Sequence, residues 1–277
     1  MTILPKIFAH RGASAVAPEN TLPAFEKALE MGADGIELDV QATADGALVV
    51  LHDFNLARTT TGDGQLRTRT LQQLDGIDAG VRFDDAYRGT PIPTLEQVFD
   101  LVGDSCIVNV EIKNEDWNGG REPEPLARII QQRQLYDRVI VSSFNPVALR
   151  RMRQIDPSIA LGLLYFDKPP RPTHATESIF HRLRRLPLKF LFLQLSRAWH
   201  SPRIAAEALH PYFASIDAQL VENAHSRGQL VNAWTVNNGP EALRLARLGV
   251  DAIITDLPDK IRQELSTASS AADAPPS

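Results

Sequence analysis

The sequence predicts an α/β protein built as a TIM-type (β/α)8 barrel, and three observations support this prediction. Short apolar segments rich in Val and Ile alternate with helix-like segments along most of the chain. Such segments are typical of parallel strands that are buried on both faces. The chain has 277 residues, a usual length for a single barrel of this kind. Eight strands that alternate with helices in one chain imply a closed parallel barrel.

The predicted strands are short, and their order along the chain sets the architecture. They cover residues 7–10, 35–40, 107–113, 138–144, 159–165, 204–210, 230–236 and 252–256. The sixth has the weakest pattern, because residues 204–210 fit a helix equally well. Between strands, residues 21–31 place Leu22, Phe25 and Ala28 at helical spacing, and Gly32 ends the helix.

Two segments interrupt this alternation. Asp45-Gly46 is a tight-turn signal between two apolar runs, so we expect a β-hairpin after the second strand. A polar insert of about residues 54–93 follows it, and a Pro-, Arg- and His-rich segment covers residues 166–203. The sequence therefore predicts one barrel domain over residues 1–265, with the small insert after the hairpin. Residues 266–277 have low complexity, which predicts a disordered tail.

Composition excludes some function classes. The net charge of −5 argues against nucleic acid as the main partner, because a surface that follows phosphates needs an excess of basic residues. The apolar run at residues 186–195 contains Lys189 and is too short to span a bilayer. The N-terminus does not resemble a secretory signal. We therefore expect a cytoplasmic protein with no transmembrane segment and a small-molecule substrate.

Two predicted strands carry acidic residues at alternate positions. Glu37 and Asp39 share one strand face, and Leu38 points towards the helices. Glu111 and Lys113 repeat this spacing in the third strand. Three carboxylates from two strands make an all-oxygen site, which favours Mg²⁺ or Ca²⁺ over zinc. A local ion pair between Glu111 and Lys113 is the simpler alternative.

Two histidines lie where the barrel mouth is predicted. His10 ends the first strand and precedes Arg11, whose guanidinium suits a phosphate group. His52 ends the predicted hairpin, which would place it over the same mouth. Together His10 and His52 could act as a general acid and a general base.

An aromatic residue occurs at the end of the seventh predicted strand. Trp234 lies in the segment 234–237 and could pack against the carbon skeleton of a substrate. A Trp buried in the barrel wall is an equally good interpretation.

Taken in order, these segments resemble the glycerophosphodiester phosphodiesterase family, in its bacterial soluble type. Ten short motifs between residues 7 and 257 carry the resemblance, and each alone is weak. They are 10-HRG-12, 18-PENT-21, 37-ELDVQ-41, 52-HD-53, 58-RTTTGDG-64, 92-IPTLEQV-98, 111-EIK-113, 142-SSFN-145, 234-WTVN-237 and 253-IITD-256.

The resemblance implies a role for each candidate residue. It implies one divalent cation held by Glu37, Asp39 and Glu111, and an insert that caps the barrel mouth. It also implies that His10 and His52 transfer protons, that Arg11 and Lys113 grip the phosphate, and that Glu19 lies beside the site. The expected reaction is attack by the glycerol 2-hydroxyl on phosphorus. This attack releases the alcohol and forms a cyclic phosphate, which water then opens to sn-glycerol 3-phosphate.

Two other functions stay open from the sequence. A barrel of the same fold could act on lysophospholipids or other lipid phosphodiesters. The basic and apolar segment 181–195 would then contact the membrane surface weakly, although an amphipathic element packed on the barrel explains it as well. A catalytically dead barrel that only binds ligands would require the loss of a metal or acid–base position, and all of these are present.

Overall fold

The computed structural model describes residues 4–166 and 203–272, with side chains described as far as residue 269. The described strands are β1 (Lys6–His10), β2 (Gly35–Ala42), β3 (Leu48–Val50), β4 (Ile107–Ile112), β5 (Val139–Ser143), β6 (Ala160–Tyr165), β7 (Ala208–Pro211), β8 (Leu230–Ala233) and β9 (Ala252–Thr255). The described helices are α1 (Leu22–Glu30), α2 (Leu95–Val102), α3 (Pro123–Arg133), α4 (Pro146–Ile155), α5 (Ala218–His225), α6 (Gly239–Leu248) and α7 (Pro258–Ala272).

Eight of the strands form a closed parallel barrel. The pairing runs from β1 through β2, β4, β5, β6, β7, β8 and β9, and β9 pairs with β1 again. Strand β3 is the extra strand and pairs antiparallel with the end of β2, in the register Val40 to Val50. The predicted barrel with a hairpin after its second strand is therefore confirmed. Closure places the C-terminal ends of the first and last barrel strands side by side.

Alternation along β2 decides what the barrel interior contains. Ile36, Leu38 and Val40 are fully buried and belong to the core between the barrel and its helices. Glu37 and Asp39 lie between them and project to the opposite face, since successive side chains of a strand alternate. The same alternation on β4 turns Glu111 towards the two acidic residues of β2.

Helix α1 packs on the barrel through one apolar face. Its Ala24, Phe25 and Ala28 are buried on one face, and a proline stands in its first turn. Proline suits that position because the first helical N–H groups have no partner within the helix. Burial of this face fixes the end of the loop that joins β1 to α1, which carries part of the site.

The insert has a small core of its own. Seven buried apolar side chains from β3 and the insert pack together: Val49, Leu51, Leu56, Leu66, Leu74, Ala79 and Ile92. Short 3₁₀ helices at Leu66–Thr68, Leu71–Leu74 and Asp85–Tyr87 form its frame. Its end returns beside β3, where the Val50 amide donates to the Pro93 carbonyl at 2.9 Å.

The structure changes two predicted boundaries and leaves a third segment undescribed. Strand β7 begins at Ala208, so residues 204–207 do not belong to it as the apolar pattern had suggested. Helix α7 continues to Ala272 and enters the segment predicted to be disordered. The segment 181–195, and all of 166–203 except its ends, lie outside the described residues. No described helix has the length and apolar character needed to cross a membrane.

One histidine is fully buried inside the barrel. His210 on β7 accepts at Nε2 from Asn232 Nδ2 at 3.0 Å, while Nδ1 has no hydrogen-bond partner among the described residues. Its ring lies over Gly162, where a Cβ atom would come within 2.6 Å of Nε2. Burial lowers the pKa of His210 to about 3.

The buried state of His210 predicts a pH dependence of stability. An unfolded chain protonates this histidine near pH 6.5, whereas the folded protein keeps it neutral down to about pH 3. Unfolding therefore takes up a proton between these values, and His210 costs stability as the pH falls, by at most ~1.4 kcal/mol per pH unit. We expect His210→Gln to show a flatter decline of unfolding free energy between about pH 6.5 and 4. The assignment would be contradicted if urea unfolding showed the same fall of unfolding free energy with pH for both proteins across this range.

Candidate active site

A cavity of about 950 Å³ opens at the C-terminal ends of the barrel strands. Most of the residues predicted for the site line it together: His10, Arg11, Glu37, His52, Glu111, Lys113 and Trp234. The insert contributes Phe54, Asn55 and Gln65 to the wall, so it borders the mouth. Asp39 and Glu19 are not among the lining residues, and both contact Arg11 instead.

The three predicted carboxylates meet at one point. One oxygen from each of Glu37, Asp39 and Glu111 lies within 4.8 Å of the other two. All three side chains are buried, although carboxylates strongly prefer water. Burial and the charges of Asp39 and Glu111 raise the pKa of Glu37 well above its usual value. Burial raises the pKa of Glu111 to about 7 against the opposing charge of Lys113, and Asp39 adds to the rise.

Two cationic side chains balance part of this negative charge. Lys113 Nζ lies 2.6 Å from Glu111 Oε1 and 3.3 Å from Asp39 Oδ1. Arg11 Nε lies 3.3 Å from Asp39 Oδ2. Burial alone would raise the pKa of Asp39, but the charges of Lys113 and Arg11 outweigh it and lower the pKa. Asp39 is therefore the carboxylate of the three that most strongly holds its negative charge.

The cluster has the donor set of a hard-cation site. Asp39 Oδ1 and Glu111 Oε1 are buried, and both face the ammonium of Lys113. Their donors are all carboxylate oxygens, which Mg²⁺ and Ca²⁺ prefer. Three carboxylates also outnumber the two cations beside them, Arg11 and Lys113. Glu37, Asp39 and Glu111 could therefore hold a divalent cation.

The loop after β1 has a constrained backbone. Arg11 and Gly12 have φ angles of 57° and 81°, in the left-handed region. A Cβ at Gly12 would lie 2.6 Å from the backbone carbon of Ala24, so only glycine fits there. This turn aims the Arg11 amide at Glu37 Oε2, at 3.0 Å. Left-handed non-glycine residues cluster at functional sites, where the surroundings offset their cost.

A second left-handed residue, Asn20, supports the cluster. Its φ angle is 59°, and its side chain donates to Asp39 Oδ2 at 2.8 Å. The same amide accepts from the Asp39 backbone N–H at 3.2 Å. Asn20 N–H in turn donates to the Arg11 carbonyl at 2.9 Å. Asn20 thus ties the loop after β1 to the acidic strand β2.

The Nδ1 atom of each predicted catalytic histidine is hydrogen-bonded to an aspartate. His10 Nδ1 lies 2.6 Å from Asp256 Oδ1, and His52 Nδ1 lies 2.6 Å from Asp53 Oδ1. A carboxylate in this position orients the ring and fixes the proton on Nδ1, which leaves Nε2 available for proton transfer. Burial lowers the pKa of His52, although the charge of Asp39 acts in the opposite direction.

The two aspartates are held differently. Asp256 accepts from Ser14 Oγ at 2.9 Å and from Asn237 Nδ2 at 2.5 Å. Burial would raise the pKa of Asp256, but the hydrogen bond and charge of His10 outweigh it and lower the pKa to about 2. Asp53 instead accepts from the guanidinium of Arg58. Apart from its histidine, Asp256 therefore has neutral hydrogen-bond partners, whereas Asp53 has a cationic one.

Comparison with known proteins decides the family. The model of the glycerophosphoryl diester phosphodiesterase family matches residues 10–260, which include every candidate residue of the site. The chain belongs to the glycerophosphoryl diester phosphodiesterase family. The resemblance read from the motifs is confirmed, and the protein is an enzyme of the phosphodiesterase class.

Several relatives of this family match over nearly their whole length. A glycerophosphodiester phosphodiesterase of Caldanaerobacter subterraneus subsp. tengcongensis is 38% identical, over 92% of this chain and 95% of that protein. One of Bacillus altitudinis is 36% identical, over 95% of this chain and 100% of that protein. An Oleispira antarctica phosphodiesterase, solved in complex with the product sn-glycerol-3-phosphate, is 29% identical with a TM-score of 0.76. That match covers 95% of this chain and 97% of the solved chain.

An aromatic wall lines one side of the phosphodiesterase cavity. Phe144, Phe166 and Trp234 contact one another with ring centroids 5.0–5.4 Å apart, and all three line the cavity. Trp234 also donates from Nε1 to the His210 carbonyl at 2.7 Å. This hydrogen bond fixes the position of its indole ring in the cavity wall. Lys113 Nζ lies 5.8 Å from the Phe144 ring centroid, which brings the wall up to the charged cluster.

Four residues of the site had no assigned role in the sequence analysis, namely Asn20, Asp53, Arg58 and Asp256. Asp53 follows His52 directly, and this adjacency was a usable signal. Asp256 could also have been found, because closure of a barrel sets the end of its last strand beside the first. The sequence gives no comparable signal for Asn20 or Arg58, whose partners depend on loop conformation.

The Asn20 contacts predict a specific loss of stability. In Asn20→Asp, a carboxylate oxygen replaces the amide that donates to Asp39 Oδ2. The lost hydrogen bond and the added repulsion should lower the unfolding free energy by about 1–3 kcal/mol. Asn20→Gly keeps the left-handed backbone and loses only the side chain, so it should be less affected. Urea unfolding of the three proteins would refute this prediction if Asn20→Asp matched the wild type.

Proposed function

We propose that this enzyme hydrolyses glycerophosphodiesters to sn-glycerol 3-phosphate and an alcohol, in a reaction that depends on one divalent cation, Mg²⁺ or Ca²⁺. The observation that carries the proposal is the buried cluster of three carboxylates, with two cations and two histidine–aspartate pairs around it. Family membership and the product complex of the Oleispira antarctica relative support the same substrate class.

The cation site would be formed by Glu37, Asp39 and Glu111. The cation supplies positive charge that stabilises the phosphodiester as negative charge develops on its oxygens. Arg11 and Lys113 bind the same phosphate, because both line the cavity beside the carboxylates. The planar guanidinium of Arg11 suits two phosphate oxygens at once, and the ammonium of Lys113 acts as a point charge.

Proton transfer belongs to His10 and His52. One histidine removes the proton of the glycerol 2-hydroxyl as it attacks phosphorus, and the other protonates the departing alcohol. A cyclic phosphate forms and is opened by water, with the same two histidines in exchanged roles. Asp256 and Asp53 keep the Nε2 atom of each ring free for these steps. Glu19 assists indirectly, through its contact with Arg11.

A second candidate substrate class has one observation in its favour. The cavity, at about 950 Å³, is at the upper end of the range for small-molecule sites, and Phe144, Phe166 and Trp234 give it an apolar wall. A lysophospholipid or another lipid phosphodiester would use that wall for its carbon chain. Comparison of kcat/KM for glycerophosphocholine and for a lysophospholipid separates the two classes.

The carboxylate cluster predicts that cation binding and turnover are lost together. Glu111→Gln keeps the size of the side chain and removes one anionic ligand, so we expect turnover to vanish while the fold remains intact. Added Mg²⁺ or Ca²⁺ should raise the melting temperature of the wild type but not of the variant. Glu30→Gln, on the surface of α1, serves as the matched control. Full activity of the wild type after EDTA treatment and dialysis would disprove cation dependence.

His52 predicts a separation of chemistry from binding. His52→Ala should lower kcat by roughly a hundred-fold to ten-thousand-fold, because a proton-transfer group is lost. KM should change little, since Arg11, Lys113 and the cation still bind the phosphate. His225→Ala, at a surface histidine paired with Asp251, is the control and should keep the wild-type rate.

The leaving group then identifies the role of His52. A p-nitrophenyl phosphodiester releases an acidic alcohol that needs little protonation. It should partly rescue His52→Ala if His52 is the acid, and His10→Ala if His10 is the acid. A near-normal kcat of His52→Ala on glycerophosphodiesters would show that His52 has no catalytic role.

A further inference from the structure

We propose that Arg58, in the insert, is a positioning residue that holds both His52 and Arg11 in their working orientations. The inference rests on the proposed function, because it assigns to Arg58 an effect on proton transfer and on phosphate binding. Arg58 does not itself line the cavity, and its hydrogen bonds go to Glu19 and Asp53 rather than to the proposed cation ligands. It acts through the two carboxylates that its guanidinium joins.

The guanidinium of Arg58 binds two carboxylates at once. Its Nη1 and Nη2 donate to Glu19 Oε2 and Oε1 at 2.9 and 2.7 Å. Its Nε donates to Asp53 Oδ2, and Nη2 also reaches Asp53 Oδ1 at 3.1 Å. Both contacts are bidentate, a geometry that a guanidinium provides and an ammonium does not.

One arm of this network ends on His52. Asp53 shares its Oδ1 atom between Arg58 and the Nδ1 atom of His52, which lies 2.6 Å away. The position of Asp53 fixes both the tilt of the imidazole and the nitrogen that carries the proton. Without Arg58, Asp53 could rotate away from the ring, because its side chain is only partly buried.

The other arm ends on Arg11. Glu19 Oε1 accepts from Arg11 Nη1 at 2.9 Å as well as from Arg58. Burial would raise the pKa of Glu19, but the hydrogen bonds and charges of Arg58 and Arg11 lower it, so Glu19 stays ionised. An ionised Glu19 draws the Arg11 guanidinium to one side and leaves its remaining N–H groups for the cavity.

Exposure separates this role from a stabilising one. The Arg58 side chain is 46% exposed, and ion pairs at such positions contribute little to folding. The insert has its own apolar core, which does not include Arg58. A displacement of about 1 Å at a reacting group, by contrast, can lower a rate about a hundred-fold. Removal of Arg58 should therefore change catalysis more than stability.

The test uses Arg58→Ala and Arg58→Lys in the full chain, with glycerophosphocholine as substrate. Arg58→Ala should lower kcat by about a hundred-fold and raise KM, with a melting temperature close to that of the wild type. Arg58→Lys should lose most of the same activity, because it keeps the charge and loses the two bidentate contacts. Arg88→Ala is the matched control, since Arg88 is an exposed arginine of the insert that pairs with Asp85.

Double variants separate the effect of Arg58 on His52, through Asp53, from its effect on Arg11, through Glu19. On a His52→Ala background, Arg58→Ala should affect KM alone, because the arm through Asp53 has no catalytic ring left to orient. On a Glu19→Gln background it should affect kcat alone. Equal effects of Arg58→Ala on all backgrounds would overturn the proposal, since independent sites give additive effects. Wild-type kcat and KM in Arg58→Ala would overturn it too, as would failure of both Arg58 variants to fold.

A readout without turnover keeps this proposal separate from the proposed function. The ring nitrogen shifts of His52, identified by their absence in His52→Ala, report which nitrogen carries the proton. The wild type should show the Nδ1–H form, and Arg58→Ala should show a mixture of both forms. An unchanged His52 ring in Arg58→Ala would overturn the inference. If the wild type does not hydrolyse glycerophosphodiesters, the proposed function fails while the ring shifts still decide the role of Arg58.

Discussion

Three carboxylates share the buried end of one barrel, and the surrounding structure is organised around the cost of placing them there. Charges that leave water must be compensated by partners close by. Lys113 compensates Glu111 and Asp39, and Arg11 compensates Asp39 from the other side. Compensation is incomplete, since two cations face three carboxylates, and burial helps to hold the pKa of Glu37 well above its usual value. A site with excess negative charge at its centre, bordered by cations, suits a divalent cation together with an anionic substrate.

Barrel closure assembles this site from distant parts of the chain. Strand β9 pairs with β1, so Asp256 lies beside His10 although 246 residues separate them. The hairpin strand β3 lies outside the barrel and carries the chain back to the mouth, where His52 and Asp53 follow it. Each histidine therefore has its own support, one from the barrel and one from the hairpin. Their geometries are set by different parts of the fold.

Much of this arrangement could be predicted from the sequence, because it depends on strand periodicity. Alternation along β2 and β4 places Glu37, Asp39 and Glu111 on one face wherever the strands pair in register. The start of β7 was predicted less well, since residues 204–206 are apolar enough to suggest a longer strand and the structure begins it at Ala208. Side chains that act from loops were the least predictable. The contacts of Asn20 depend on a left-handed φ angle that an Asn-Thr dipeptide does not specify.

The insert shows why catalytic geometry and stability need not depend on the same contacts. Its apolar core is continuous with β3 and fixes where the insert lies. That core cannot orient a polar ring at the cavity, because apolar contacts have no preferred direction. Hydrogen bonds do have one, and Arg58 makes four of them to Glu19 and Asp53. The apolar core thus places the insert within reach of the mouth, and the directional contacts of Arg58 set the angles of His52 and Arg11. The fold can tolerate loss of the second set of contacts, whereas the proposed chemistry cannot.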